Sequence, residues 1–139
     1  MDIETAIAIA LKAHRGQTDK GGLPYILHPL AVMNRVTTLE EKIVAVLHDV
    51  VEDTCITLDV LRQEGLEEEL ISAISNLTKR EGENYTEFIE RAKNNPISRN
   101  VKIADIEENL NIFRIKEPTQ KDYDRIEKYK TALEYLVKD

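Results

Sequence analysis

An all-α fold is predicted by apolar residues that recur at three- and four-residue steps along most of the chain. No segment has sustained two-residue alternation bounded by turns. Ile3, Ala6, Ile7, Ala10, Leu11 and Ala13 form the first apolar stripe, with Asp2 placed to cap it and Gly16 to end it. Asp19-Lys20-Gly21-Gly22-Leu23-Pro24 reads as a loop, because glycine and proline punctuate it. Proline suits the first turn of a helix, so Pro29 predicts a second helix over 29–36 with His28 directly before it. Thr38, with Glu41 three residues later, carries a capping-box signature. The helix that follows holds Ile43, Val44, Val46, Leu47, Val50 and Val51, which leave little polar face, so it is expected to be central and buried. Thr57 caps a short helix that Gly65 stops, and another is expected over 66–77. The polar stretch 78–84 reads as a mobile, charged loop, and 79–83 within it as a solvated segment or a lid. Helices are then expected over 85–94, 97 to about 113, and 119–137.

The 139 residues fit one domain, with enough chain to bury a core without disulfide or metal staples. A metal, if used, is therefore expected to serve chemistry rather than folding. The net charge of −7 argues against binding the phosphate backbone of a nucleic acid, while leaving room for a small anionic substrate met by a metal and a few lysines. The single cysteine, Cys55, forms no intrachain disulfide, which fits a reducing compartment, and it reads as a bystander thiol. The N-terminus lacks the features of a signal peptide and no apolar run has bilayer length, so a soluble cytoplasmic protein is expected, without membrane contact.

The chemistry is expected where polar residues interrupt apolar helix faces. Leu47-His48-Asp49-Val50-Val51-Glu52-Asp53-Thr54 sets a histidine and three carboxylates at the end of a very apolar helix. Burying them without partners would cost several kcal/mol (~3–5 per broken pair), which a divalent cation would largely remove. His48 and Glu52 are four apart and share a face, as do Asp49 and Asp53. A second insertion is Asp105 among Ile103, Ala104 and Ile106, with Asn109 one turn on; His28 supplies a third. Two imidazoles and two carboxylates suit manganese, iron or zinc better than calcium. Taken singly, each has a plainer reading: His28 as a cap, Asp105 bonding a backbone amide, Glu52 and Asp53 as solvated residues at a frayed end. Tyr25 reads equally as a pocket wall or a core residue. His14 reads as structural, and Tyr123, Tyr129 and Tyr135 as packing.

The segments Ala13-His14-Arg15-Gly16-Gln17, Pro24-Tyr25-Ile26-Leu27-His28-Pro29-Leu30, Leu47 to Thr54, and Lys102-Ile103-Ala104-Asp105 occur in an order and spacing that resemble the HD hydrolase domain of RelA/SpoT-like stringent-response proteins. The length matches the stand-alone small alarmone hydrolases of that family. The resemblance implies an HD-domain helical bundle and a nucleotide substrate. It implies that His28, His48, Asp49 and Asp105 hold one manganese ion, and that Glu52 and Asp53 orient or deprotonate the attacking water. Asn109 and Lys20 are implied to face the nucleotide. The implied reaction is hydrolysis of the 3′-pyrophosphate of guanosine tetra- or pentaphosphate. One departure stands out: Asp19 occupies the place of a family arginine that packs on guanine, and a carboxylate does not stack as a guanidinium does. Two other readings are therefore carried forward. One keeps the site but takes another nucleotide or a phosphorylated dinucleotide cofactor; the other is a non-catalytic nucleotide-binding module.

Overall fold

The computed structural model describes residues 1–110 and 117–139. Its helices are α1 (Ile3–Ala13), α2 (Leu27–Asn34), α3 (Leu39–Leu47), α4 (Val50–Asp53), α5 (Leu58–Gln63), α6 (Glu68–Asn76), α7 (Tyr85–Lys93), α8 (Pro96–Asn109) and α9 (Gln120–Val137). Among the described residues the one β-like feature is a bridge between Thr18 and Pro24, so the all-α expectation holds. No helix among them is long and apolar enough to cross a membrane.

Local signals act at several helix starts, as expected for α1 and α3. Asp2 accepts from the Thr5 amide at 2.7 Å, and Thr38 and Glu41 close a capping box on α3. Asn84 with Glu87 does the same for α7, and Asn95 caps α8 with Pro96 in its first turn.

Several boundaries differ from expectation. Helix α2 begins at Leu27, so His28 lies inside its first turn rather than before it. Pro29 still costs nothing there, because the first-turn amides have no intrahelical partner. Helix α8 starts at Pro96 instead of 97, and the part of that expected helix beyond 110 lies outside the described residues. Most consequentially, the apolar helix expected to run through Val51 breaks after Leu47 and resumes as α4 at Val50.

Two apolar clusters form around α8. The larger gathers Ala6 and Ala10 of α1, Val32 of α2, Ile43 to Leu47 of α3, Ile71 and Ile74 of α6, and Val101 and Ala104 of α8. The smaller joins Ile89, Ile106, Ala132 and Leu136 from α7, α8 and α9. Helix α8 thus buries one face against each cluster and carries Asp105 at the seam. At roughly 25 cal/mol per Å² of apolar surface removed from water, burial of this kind dominates the favourable side of folding.

Candidate metal centre

His48 and Asp49 occupy the break between α3 and α4, where the backbone amide of His48 bonds back only to Ala45. His48 Nδ1 donates to the Ala45 carbonyl, which fixes the tautomer and turns Nε2 away from the helix. Nε2 is buried and makes no hydrogen bond, although Asp49 Oδ2 lies at 3.1 Å and Asp105 Oδ1 at 3.4 Å. A bare ring nitrogen facing two carboxylate oxygens is unfavourable unless a proton or a cation sits among them. Without a cation, burial opposes charge on His48, yet Asp49 and then Asp105 outweigh it and hold its pKa well above the usual value.

The other predicted ligands converge on the same point. His28 reaches Asp105 Oδ1 through Nε2 at 2.8 Å, and ligand atoms of His28, His48 and Asp49 lie within 4.8 Å of one another. Asp105 adjoins that trio through both imidazoles. Burial works against its charge, but Lys102, followed by His28 and His48, holds its carboxyl well below the ordinary range. His28, His48 and Asp105 are all buried; Asp49 is half-buried and accepts from the Tyr25 hydroxyl. Burial, then the Asp49 charge, pushes the Tyr25 phenol up. Two buried imidazoles, two carboxylates and an orphaned Nε2 suit a divalent transition metal.

A cleft of about 400 Å³ opens beside these ligands, lined by His28, Asp49 and Asp105. Three residues expected to face substrate also line it: Lys20, Tyr25 and Asn109. Asn109 Nδ2 donates to Asp105 Oδ1 at 3.2 Å, and Lys20 Nζ lies 3.4 Å from Asp122 Oδ1. The loop bearing Lys20 is stitched by Asp19, whose Oδ1 accepts from the Gly21 and Leu23 amides at 2.9 and 3.0 Å. Gly22 takes φ 84° within this turn, a region that L side chains rarely adopt.

Glu52 and Asp53 project from α4 and are not among the residues that line the cleft. Glu52 Oε2 accepts from the Lys79 amide at 3.4 Å, and the Asp53 carbonyl accepts from Gln17 Nε2 at 3.2 Å. Partial desolvation, reinforced by the Asp49 charge, raises both carboxyls above the ordinary range. His14 is buried and its Nδ1 bonds Gln17 Oε1 at 2.9 Å, in keeping with the structural reading.

Sequence reasoning missed two cleft residues on α9. Arg125 and Tyr129 are four apart, share a face and line the cleft, so Tyr129 does more than pack against Tyr85. Their spacing was visible in the sequence; that this face turns toward His28 and Asp105 was not.

No protein-family model matches the chain. The chain is 33% identical over 131 residues, 84% of its length, to a probable GTP pyrophosphokinase of Mycobacterium leprae, of which it covers 16%. It is 40% identical over 77 residues, 51% of its length, to a guanosine-3′,5′-bis(diphosphate) 3′-pyrophosphohydrolase of Haemophilus influenzae, of which it covers 11%. It therefore spans about a sixth or less of the length of these curated relatives. A solved structure described as a metazoan ortholog of SpoT that hydrolyzes ppGpp superposes with a TM-score of 0.79 and 24% identity, over 97% of this chain and 85% of the other. In sequence the chain is similar to a part of these (p)ppGpp-named relatives, and its fold is the all-α bundle that the motifs led one to expect.

Proposed function

We propose that this chain is a metal-dependent phosphohydrolase that releases pyrophosphate from the 3′ position of guanosine tetra- or pentaphosphate. The observation that carries the reading is the bare, buried Nε2 of His48 facing Asp49 and Asp105, with His28 closing the set. In this reading His28, His48, Asp49 and Asp105 hold the ion, with manganese the proposed metal. When bound, such an ion polarises phosphoryl oxygens and lowers the pKa of water, by several units in the best-known cases.

The chain's own residues do the rest. Tyr25 orients Asp49 through its hydroxyl, and Asn109 orients Asp105. Glu52 and Asp53 are the candidate bases for the attacking water, since carboxyls raised above their usual range accept a proton more readily near neutrality. Lys20 and Arg125, both tied to Asp122, bring positive charge to the cleft of an acidic protein and would meet the substrate's phosphates. Arg125 also offers the planar guanidinium that position 19 lacks. A cleft near 400 Å³ lies within the ~300–1,000 Å³ usual for small-molecule sites, which fits a nucleotide.

A second reading keeps the site and changes the substrate to another nucleotide or a phosphorylated dinucleotide cofactor. It is favoured by Asp19, whose carboxylate is committed to its own loop. The test is release of pyrophosphate from guanosine tetraphosphate by metal-stripped protein, with and without added manganese. Manganese-dependent pyrophosphate release is expected. A protein that binds manganese yet leaves guanosine tetraphosphate intact, while turning over another phosphorylated nucleotide, would establish the second reading instead.

A further inference from the structure

Lys102 is a half-buried cation with no part so far in the proposed reaction. Its side chain is 12% exposed, and its ammonium lies 2.9 Å from Asp105 Oδ2 and 4.9 Å from the centre of the Phe88 ring. Phe88 belongs to α7. The cleft is lined by Asp105 but not by Lys102, so the ammonium stands behind the ligand rather than before the substrate.

The two oxygens of Asp105 are divided by this arrangement. Oδ1 faces His28 Nε2 at 2.8 Å, His48 Nε2 at 3.4 Å and Asn109 Nδ2 at 3.2 Å. Oδ2 is engaged by Lys102 alone among the contacts described. We infer that Lys102 is a positioning residue that holds Asp105 to a metal through a single oxygen and keeps the site electrophilic. This inference rests on the metal-dependent phosphohydrolase reading. A carboxylate free at both oxygens can chelate a divalent ion and so fill a further coordination position. With Oδ2 withheld, that position remains for water or a substrate oxygen. Charge acts in the same direction. A divalent ion with two carboxylates and two neutral imidazoles is neutral, and Lys102 adds one positive charge beside that ligand set, favourable to an anionic phosphate.

The two effects separate this role from simple support of the fold. A merely structural lysine, once removed, would loosen the ligand set, and metal and activity would be lost together. A positioning lysine, once removed, frees Oδ2 to join the metal, so affinity holds or tightens while turnover falls.

The experiment uses Lys102→Met in the full chain, with Lys102→Gln as the second variant should the methionine protein fail to fold. Manganese affinity is read by electron paramagnetic resonance titration, and fast-exchanging water on the bound ion by water proton relaxation. Turnover is read as pyrophosphate release from guanosine tetraphosphate. The expected result is a manganese Kd no weaker than the parent's, a lower relaxation enhancement, and turnover reduced about tenfold or more. Unchanged relaxation and turnover would overturn the inference, as would a Kd that weakens in step with turnover. If the parent itself leaves guanosine tetraphosphate intact, the substrate reading alone fails, because the affinity and relaxation measurements involve no substrate.

Discussion

Three of the four candidate metal-facing groups are oriented by identifiable neighbours. His48 is turned by a backbone carbonyl, Asp49 by the Tyr25 hydroxyl, and Asp105 by Asn109 and Lys102. Such outer contacts commonly change metal affinity or activity by about 10–100-fold. Tyr25→Phe keeps the ring that packs beside His14 and His28 and removes only the hydroxyl. Manganese affinity is expected to fall about tenfold, with the melting temperature little changed; a titration of the metal-stripped variant checks it. Asp19 calls for a different outcome. Its carboxylate ties the 18–24 loop to itself, so Asp19→Ala should loosen Lys20 while leaving the metal ligands in place. KM is expected to rise with kcat nearly constant in steady-state pyrophosphate release, the pattern of weakened uniform binding. At this scale the candidate ligands were legible in the sequence because charged residues amid apolar runs need an explanation. The role of Asp19 was not, since an Asx-type turn looks no different in sequence from a solvated carboxylate.

Helix ends, more than helix interiors, decide where chemistry sits. The α3 capping box and apolar interior were legible because both are local signals. The break at His48–Asp49 was not legible: nothing in Leu47-His48-Asp49-Val50 opposes a continuous helix, whereas in the structure His48 faces Asp105 of α8 and Asp49 accepts from the Tyr25 hydroxyl. Removing the cap by Thr38→Ala is expected to cost about 1 kcal/mol of stability, read by urea unfolding, with manganese affinity unchanged because the cap lies at the opposite end of α3. The 78–84 loop, expected to be mobile, is held at both ends by Arg91, which grips Glu83 at 2.8 Å and the Ser75 and Thr78 carbonyls at 2.8 and 2.7 Å. That clamp has a pH signature. The Arg91 bond holds the Glu83 carboxyl down to about 2, against an ordinary value of 4.5. Its stabilising contribution is therefore full above the ordinary value and is lost as pH falls through about 2. Glu83→Gln should melt below the parent at neutral pH, with the gap narrowing below pH 4.5 and closing around 2, as measured by thermal scans across that range.

The two apolar clusters meet at α8, and the ligand set lies where they join rather than at the centre of either. The sequence indicated the bundle and a candidate ligand set but left their assembly open, because periodicity assigns each helix a buried face without naming the partner. The architecture bears on what a metal does for the whole molecule. Both clusters are built from apolar side chains alone, and without an ion the polar set still packs on itself: His28 bonds Asp105, and His48 Nε2 faces Asp49 and Asp105. Chelation should therefore leave the helices folded, with the far-ultraviolet circular dichroism spectrum retained. Manganese should then add stability only through mass action, about 2.7 kcal/mol at a concentration 100 times Kd. For a chain of this size that corresponds to a melting-temperature rise on the order of 5–10 °C, growing with the logarithm of manganese concentration. A thermal titration of the stripped protein checks both parts. Retained helicity with a logarithmic rise identifies a metal serving chemistry; collapse of the helical signal on chelation would instead make the ion a structural staple, and the seam between the clusters the weakest part of the fold.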